Sequence, residues 1–169
     1  CTQKDFFEKM EAGAETFTSQ PAPGDVLSLW DELLKEYDEL VYIPMSSSLS
    51  GSCQTAKALA QDYNGRVEVI DDQRIFVIQM QSVLNAKVLA DSGHSAAEIR
   101  TILEEEKYVA SVYIAVDTLK YLRKSGRVTA SGAAMATALN IKPVLQIQGG
   151  KLDAYKKVRG MAKAEKTLL

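Results

Sequence analysis

Four serines (Ser46, Ser47, Ser48 and Ser50) and Gly51 crowd into the stretch MSSSLSGSCQTAKALA, residues 45–60. The preceding ELVYIP reads as a buried strand, and the alanine-rich continuation reads as a helix. A turn that leaves a strand and opens a helix exposes free backbone N–H groups at the positive end of the helix dipole. Anions bind there. Serine hydroxyls add donors, and a glycine lets the backbone approach a ligand. The predicted chemistry is capture of a carboxylate or phosphate at the carboxyl edge of a sheet. Ser47, Ser50 and Gly51 are the candidates. A second hydroxyl-rich loop, TFTSQP, adds Thr18 and Ser19. The plainer alternative is that Ser48 or Ser50 only caps the helix.

Other chemistries fit less well. The lysine and spacing of a P-loop are absent, and so is a GxSxG nucleophile elbow. A serine hydrolase needs a histidine base. The one histidine, His94, stands in DSGHSAAE ahead of a predicted helix, the place of a solvated connecting residue. Asp71 and Asp72 follow a strand and could bind a cation, but one pair is a weak signal for a metal; the plainer reading is that one of them caps a helix starting near Gln73. A basic group, Lys120, Arg123, Lys124 and Arg127 with Lys156, Lys157 and Arg159, reads either as a solvated face or as a functional one. Gly126 next to Arg127 suggests a tight turn that aims the arginine, whose guanidinium suits bidentate contact with carboxylate or phosphate.

The elements that must hold these residues follow from periodicity. A short helix capped by Thr2 precedes the proline-rich loop, and Asp25 is expected to cap a helix carrying Val26, Leu29, Trp30, Leu33, Leu34 and Tyr37. Strand 39–45, helix 50–63, an Asn64-Gly65 turn and strand RVEVI come next, followed by a long, largely apolar and therefore buried helix over 74–91. Ser95 caps a helix over 96–106. Strands separated by helices imply parallel pairing and right-handed crossovers. The texture then changes: VASVYIAV reads as a strand, TLKYLRKSGR as a short basic helix and ASGAAMATAL as a small-residue helix. IKPVLQIQGGKLDAYKK reads as a hairpin turning on Gly149-Gly150. The division is an N-terminal α/β unit over 1–107 and the start of a second α/β unit with an antiparallel or mixed sheet over 108–169.

The chain has 169 residues, 46% of them apolar and 25% charged, enough for a sizeable core. A net charge of −2 gives no field that argues for nucleic acid or an anionic membrane. Cys1 and Cys53 match no metal spacing, so free thiols in a cytoplasmic setting are expected. No run is long enough to span a bilayer. The chain does not open on Met, and both ends fall in helix-like segments, as in an excerpt of a longer protein.

TSQPAPGD, SSSLSGSCQTA, DTLKYLRKSGRV, LNIKPVL and KVRG, in this order and spacing, resemble the DegV family of fatty-acid-binding proteins. The resemblance covers most of the chain. It departs where Ser52 and Cys53 stand for the family's usual threonine and aromatic pair. The opening strand with its Asp-Ser-Thr motif and the histidine-bearing last third are also absent. The resemblance implies a two-domain α/β fold, truncated at both ends, with a parallel α/β/α N-terminal domain. One fatty acid is its ligand, tail buried in the N-terminal domain and carboxylate near the domain junction, with no other cofactor or metal. It further implies a non-enzymatic carrier in bacterial phospholipid synthesis. A separate fatty acid kinase would convert the bound carboxylate to an acyl phosphate. Thr18 and Ser50 would bond the carboxylate, while Arg127 and Arg159 would face the kinase or its phosphate. The alternative from another class is an enzyme acting on a small carboxylated or phosphorylated metabolite at the same turn.

Each buried CH₂ is worth roughly 0.8 kcal/mol, so a long tail gains on the order of 10 kcal/mol gross. A charge-assisted hydrogen bond adds only about 1.5–3 kcal/mol. Tail burial therefore dominates retention, and the hydroxyls fix the head. The tail is expected between the 26–37 and 74–91 helices, away from the 141–156 hairpin.

Overall fold

The computed structural model describes residues 2–135 and 141–168. Helix α1 (Gln3–Glu11) starts in a reciprocal cap between Thr2 and Asp5, as the sequence predicts. Helix α2 (Pro23–Leu33) has Pro23 in its first turn and Ala22 at the cap position, so Asp25 lies inside the first turn instead of capping it. Strands β1 (Leu40–Tyr42) and β2 (Val67–Val69) pair in parallel, Leu40 opposite Val67 and Tyr42 opposite Val69. Helix α3 (Ser52–Ala60) makes the crossover, and the chain returns through Asn64 in the left-handed conformation, φ 51°.

Alternation along the strands assigns each face its cover. Leu40, Tyr42, Val67 and Val69 pack with Trp30 of α2 and with Cys53 and Ala56 of α3. Trp30 is 2% exposed and meets the rings of Tyr42 and Tyr63 edge-on. Val41, Ile43 and Ile70 face the other way, against Ala86 of α4 (Phe76–Asp91) and Ile99 and Leu103 of α5 (Ala96–Glu105). The Ser95–Glu98 capping box starts α5 as expected. Helix α4 departs from its expectation. It begins two residues later, and neither Asp71 nor Asp72 caps it, because the cap position falls to Ile75 with no side-chain bond. Its apolar surface is not all buried either: Val77, Met80, Val83, Leu84 and Val88 are exposed.

The second sheet is antiparallel in the order β3 (Val112–Ala115), β4 (Ile141–Ile147), β5 (Asp153–Arg159). The two-residue turn expected at Gly149-Gly150 is a wider connection, 148–152, with a register shift at Val144/Leu145. One face of this sheet packs Val144 and Val158 against Ala164 of α8 (Met161–Leu168). The other face, with Ile114, Leu145 and Ile147, joins Leu49 of the serine turn, Ile75 and Leu152 in one cluster. That cluster joins the parallel and antiparallel halves. Helices α6 (Lys120–Ser125) and α7 (Ala130–Ala133) complete its edge. Most of the remaining small-residue helix expected from ASGAAMATAL, 136–140, lies outside the described residues. No helix among the described residues is long and apolar enough to cross a membrane.

Candidate functional site

The serine turn is built from its own backbone and from one neighbouring loop. Within it, the Leu49 and Ser50 N–H groups both donate to the Ser46 carbonyl, at 3.0 and 3.1 Å. Ser46 is fully buried, and its hydroxyl accepts the Ser48 N–H at 3.3 Å. The loop 71–75, between β2 and α4, holds the turn from outside. The Ser46 N–H donates to the Arg74 carbonyl at 3.0 Å, and the Ser47 N–H to the Asp71 carboxylate at 3.2 Å.

Ser50 is not a conventional cap. Its oxygen accepts the Ser52 N–H at 3.2 Å and its hydroxyl donates to Ser52 Oγ at 3.0 Å, while the cap position of α3 belongs to Gly51 without a side-chain bond. The start of α3, with no side-chain cap from Gly51, sets the positive end of the helix dipole beside Ser50. Gly51 has φ −70°, and a Cβ there would touch only the Gln20 amide oxygen, at 3.7 Å. The turn itself therefore does not demand a glycine.

Beside this turn lies a cavity of about 620 Å³, a volume in the range of small-molecule sites. Its polar side carries Thr18, Ser19, Gln20, Ser50, Ser125 and Arg127. Its apolar wall is formed by Leu49, Ile75, Ile114, Val116, Leu122, Ile147 and Leu152. Gln20 ties the hydroxyl loop to α3 by accepting the Thr55 hydroxyl at 3.0 Å. Arg127 follows the left-handed Gly126, φ 69°, and donates from Nε to the Leu49 carbonyl at 3.2 Å and from Nη1 to the Ser125 carbonyl at 2.8 Å. A cation from the antiparallel half thereby braces the serine turn of the parallel half.

The structure brings Thr18, Ser19, Ser50, Gly51 and Arg127 to one cavity. Ser47, the remaining candidate, does not line it: it is half-buried, its N–H taken by Asp71. Arg159 stands apart, exposed on β5 opposite Ile141. His94 is exposed at the far end of α4, its Nδ1 3.1 Å from the Leu89 carbonyl. The apolar wall differs from expectation. Hairpin-flanking residues Ile147 and Leu152 belong to it, whereas α2 contributes nothing because its apolar stripe is spent on α3 and the parallel sheet.

The supporting loop was the least legible part. Arg74 is 4% exposed; Nη1 donates to the Ser82 hydroxyl at 3.0 Å and Nη2 to the Glu106 carbonyl at 2.8 Å. Asp72 is fully buried and its Oδ1 accepts the Arg74 N–H at 3.2 Å; burial pushes its carboxyl above the usual range, against the Ser82 and Arg74 hydrogen bonds. Gln73 and Phe76 both take positive φ, 55° and 56°, a conformation that costs an ordinary side chain about 1–2 kcal/mol. Such strain persists only where surroundings over-determine it. Here Arg74 anchors the loop on one side, and on the other it packs under Gly149, φ 67°, where a Cβ would collide with the Tyr108 ring. Cys53, buried at the start of α3, is held protonated: burial first, then Asp71, raise its thiol to about 11. It is no nucleophile at neutral pH. No cluster of three or more potential metal ligands occurs among the described residues.

The sequence model of the DegV family, described as an uncharacterised protein family of that name, matches residues 1–169. A DegV domain-containing protein of Deinococcus radiodurans is 37% identical over 147 residues, covering 87% of this chain and 52% of the relative. A fatty-acid-binding DegV family protein of Thermus thermophilus superposes with a TM-score of 0.87 at 34% identity, covering 99% of this chain and 60% of its own. DegV of Bacillus subtilis, a fatty-acid-binding protein, gives a TM-score of 0.77 at 30% identity, with 96% of this chain and 58% of its own covered. The chain spans about half to three fifths of the length of these relatives. With the family model matching residues 1–169 and a mixed α/β fold that superposes on these solved proteins over nearly its whole length, the chain belongs to the DegV family.

Proposed function

We propose that this protein carries one long-chain fatty acid, with the carboxylate at the Thr18 and Ser50 loops and the tail in the apolar cavity. One observation carries this reading: a single cavity whose one side is hydroxyls and Arg127 and whose other side is seven aliphatic side chains, Leu122 among them. A carboxylate needs donors when it leaves water, and an acyl tail needs a wall without them. The alternative, an enzyme for a small polar metabolite, would leave that aliphatic wall without a partner. The fatty-acid binding of the DegV proteins from Thermus thermophilus and Bacillus subtilis supports the same choice.

The finer part of the proposal concerns use. The carrier presents the carboxylate to a separate fatty acid kinase, which moves the γ-phosphoryl group of ATP to a carboxylate oxygen and releases ADP. The carrier needs no metal or cofactor of its own and works in the cytoplasm. Ser50 and Thr18 fix the head for that transfer, and Arg127 and the outlying Arg159 offer positive charge to the phosphate or to an acidic partner face. Displacement of a fluorescent fatty-acid analogue by defined acids tests the carrier role. Saturable one-to-one displacement by long-chain acids, and none by short carboxylates or sugar phosphates, is expected. The reverse order would establish the metabolite reading.

A further inference from the structure

Phe76 sits where two features meet. Its ring lines the cavity, yet the residue remains 59% exposed. One helical turn further, Met80 is 58% exposed, and Leu84 and Val88 continue the row along α4 at 49% and 63%. Residues four apart stack on successive turns of a helix, each about 40° round from the last, so these four form one winding row. Phe76 is therefore the first member of an apolar row that starts in the cavity and leaves it. It is held there by an unfavourable backbone. Gln73 and Phe76 bracket the segment with positive φ, Arg74 between them is locked inward to Ser82 and Glu106, and Gln79 Nε2 pins the first turn of α4 to the Ile43 carbonyl at 3.0 Å. A large aromatic kept in a left-handed conformation at a cavity rim points to a use for the ring itself.

We propose that Phe76 selects among acyl chains by bulk: its ring stands between the cavity and the apolar row of α4 and limits how far a tail passes from one to the other. The inference rests on the carrier reading and adds the residue that sets the carrier's preference. Aliphatic tails differ by single methylenes or one bend, so the bulk of a ring at the cavity rim discriminates where hydroxyls at the head cannot.

The test compares the acyl chains bound to the protein expressed at its full native length with those bound to Phe76→Ala and Phe76→Leu. Each variant is equilibrated with an equimolar mixture of saturated and cis-unsaturated acids of graded length, then extracted and analysed by mass spectrometry. Phe76→Ala is expected to raise the ratio of longer or bent chains to the wild type's preferred chain at least threefold, with total occupancy near one, and Phe76→Leu to fall between. Because composition and not amount is read, a merely structural role would leave it unmoved. Should Phe76→Ala fail to fold, Phe76→Leu, which keeps an apolar filling, is read alone. An unchanged profile at full occupancy would overturn the role of Phe76 and leave the carrier reading standing. Absence of any acid from the unaltered protein would overturn both.

Discussion

The Asp71 carboxylate accepts the Ser47 backbone N–H at 3.2 Å across 24 residues of sequence, and so joins the loop after β2 to the serine turn after β1. These are the carboxyl ends of two paired parallel strands, where ligands of α/β proteins gather. The Arg74 carbonyl adds a second bond, to the Ser46 N–H. The serine turn is thus preorganised before any ligand arrives, which lowers the cost of ordering it on binding.

Removing the acceptor should loosen the turn. Asp71→Ala leaves a half-buried N–H without its charged partner, a loss of about 1–3 kcal/mol. Denaturant midpoints should fall accordingly, and fatty-acid affinity should fall with them. An unchanged affinity would mean that the turn keeps its shape without Asp71.

Ser50→Ala and Thr18→Ala are expected to weaken binding by about tenfold each, the worth of one hydrogen bond to a charged group. Tail burial is untouched, so lipid is still retained at high protein concentration. Phosphorylation of the bound acid by a fatty acid kinase should fall more steeply than occupancy. Complete loss of lipid together with an unchanged rate per bound lipid would contradict the roles given to these hydroxyls.

The two arginines should separate. Arg127 braces Leu49 and Ser125 at the cavity, so Arg127→Ala should lower both affinity and thermal stability. Arg159 is exposed on β5, and Arg159→Ala should leave fatty-acid affinity within about twofold while lowering coupling to the kinase. Titration and coupled kinase assays on the two variants read this directly; equal effects on affinity would contradict it.

Cys53 gives a pH dependence of known sign. Its thiol is raised from 9.0 to about 11 in the folded state, chiefly by burial. The unfolded chain therefore loses the proton first, and the stability that Cys53 contributes is present below about pH 9 and lost as pH rises toward 11. Urea midpoints of the protein and of Cys53→Ala, in a Cys1→Ser background, should converge or cross over that window. The native thiol should also resist alkylation at neutral pH until the protein unfolds; rapid native labelling would place it elsewhere than in the core.

What the sequence disclosed was local. The Thr2 and Ser95 caps, the strand–turn–helix around Ser50 and the Asn64 turn each depend on neighbours within a few residues, and each appears as read. Thr18, Ser50 and Arg127 stand out by their local chemistry and by motif order, and the fold sets all three in the lining of one cavity. The misses were long-range. Asp71 reads as a helix cap until the turn 24 residues earlier is seen to need its carboxylate. Helix α4 reads as buried because its composition is apolar all round, yet one face stays open among the described residues. The hairpin turns more widely than its glycines suggest because Leu152 pairs with Val128 and fills the cavity wall. The strained Phe76 leaves no mark on a propensity scale, since phenylalanine is an ordinary residue in an ordinary helix start.

The central claim is that one acyl chain occupies the cavity between the two halves. Native mass spectrometry of the protein, expressed in bacteria at its full native length and purified without detergent, tests it most directly. The expected spectrum shows the polypeptide with a single non-covalent increment equal to one long-chain fatty acid, lost on collisional activation and diminished in the Ser50→Ala, Thr18→Ala double variant. A spectrum of bare polypeptide that stays bare after incubation with long-chain acids, or one that shows a small polar metabolite in their place, would contradict it.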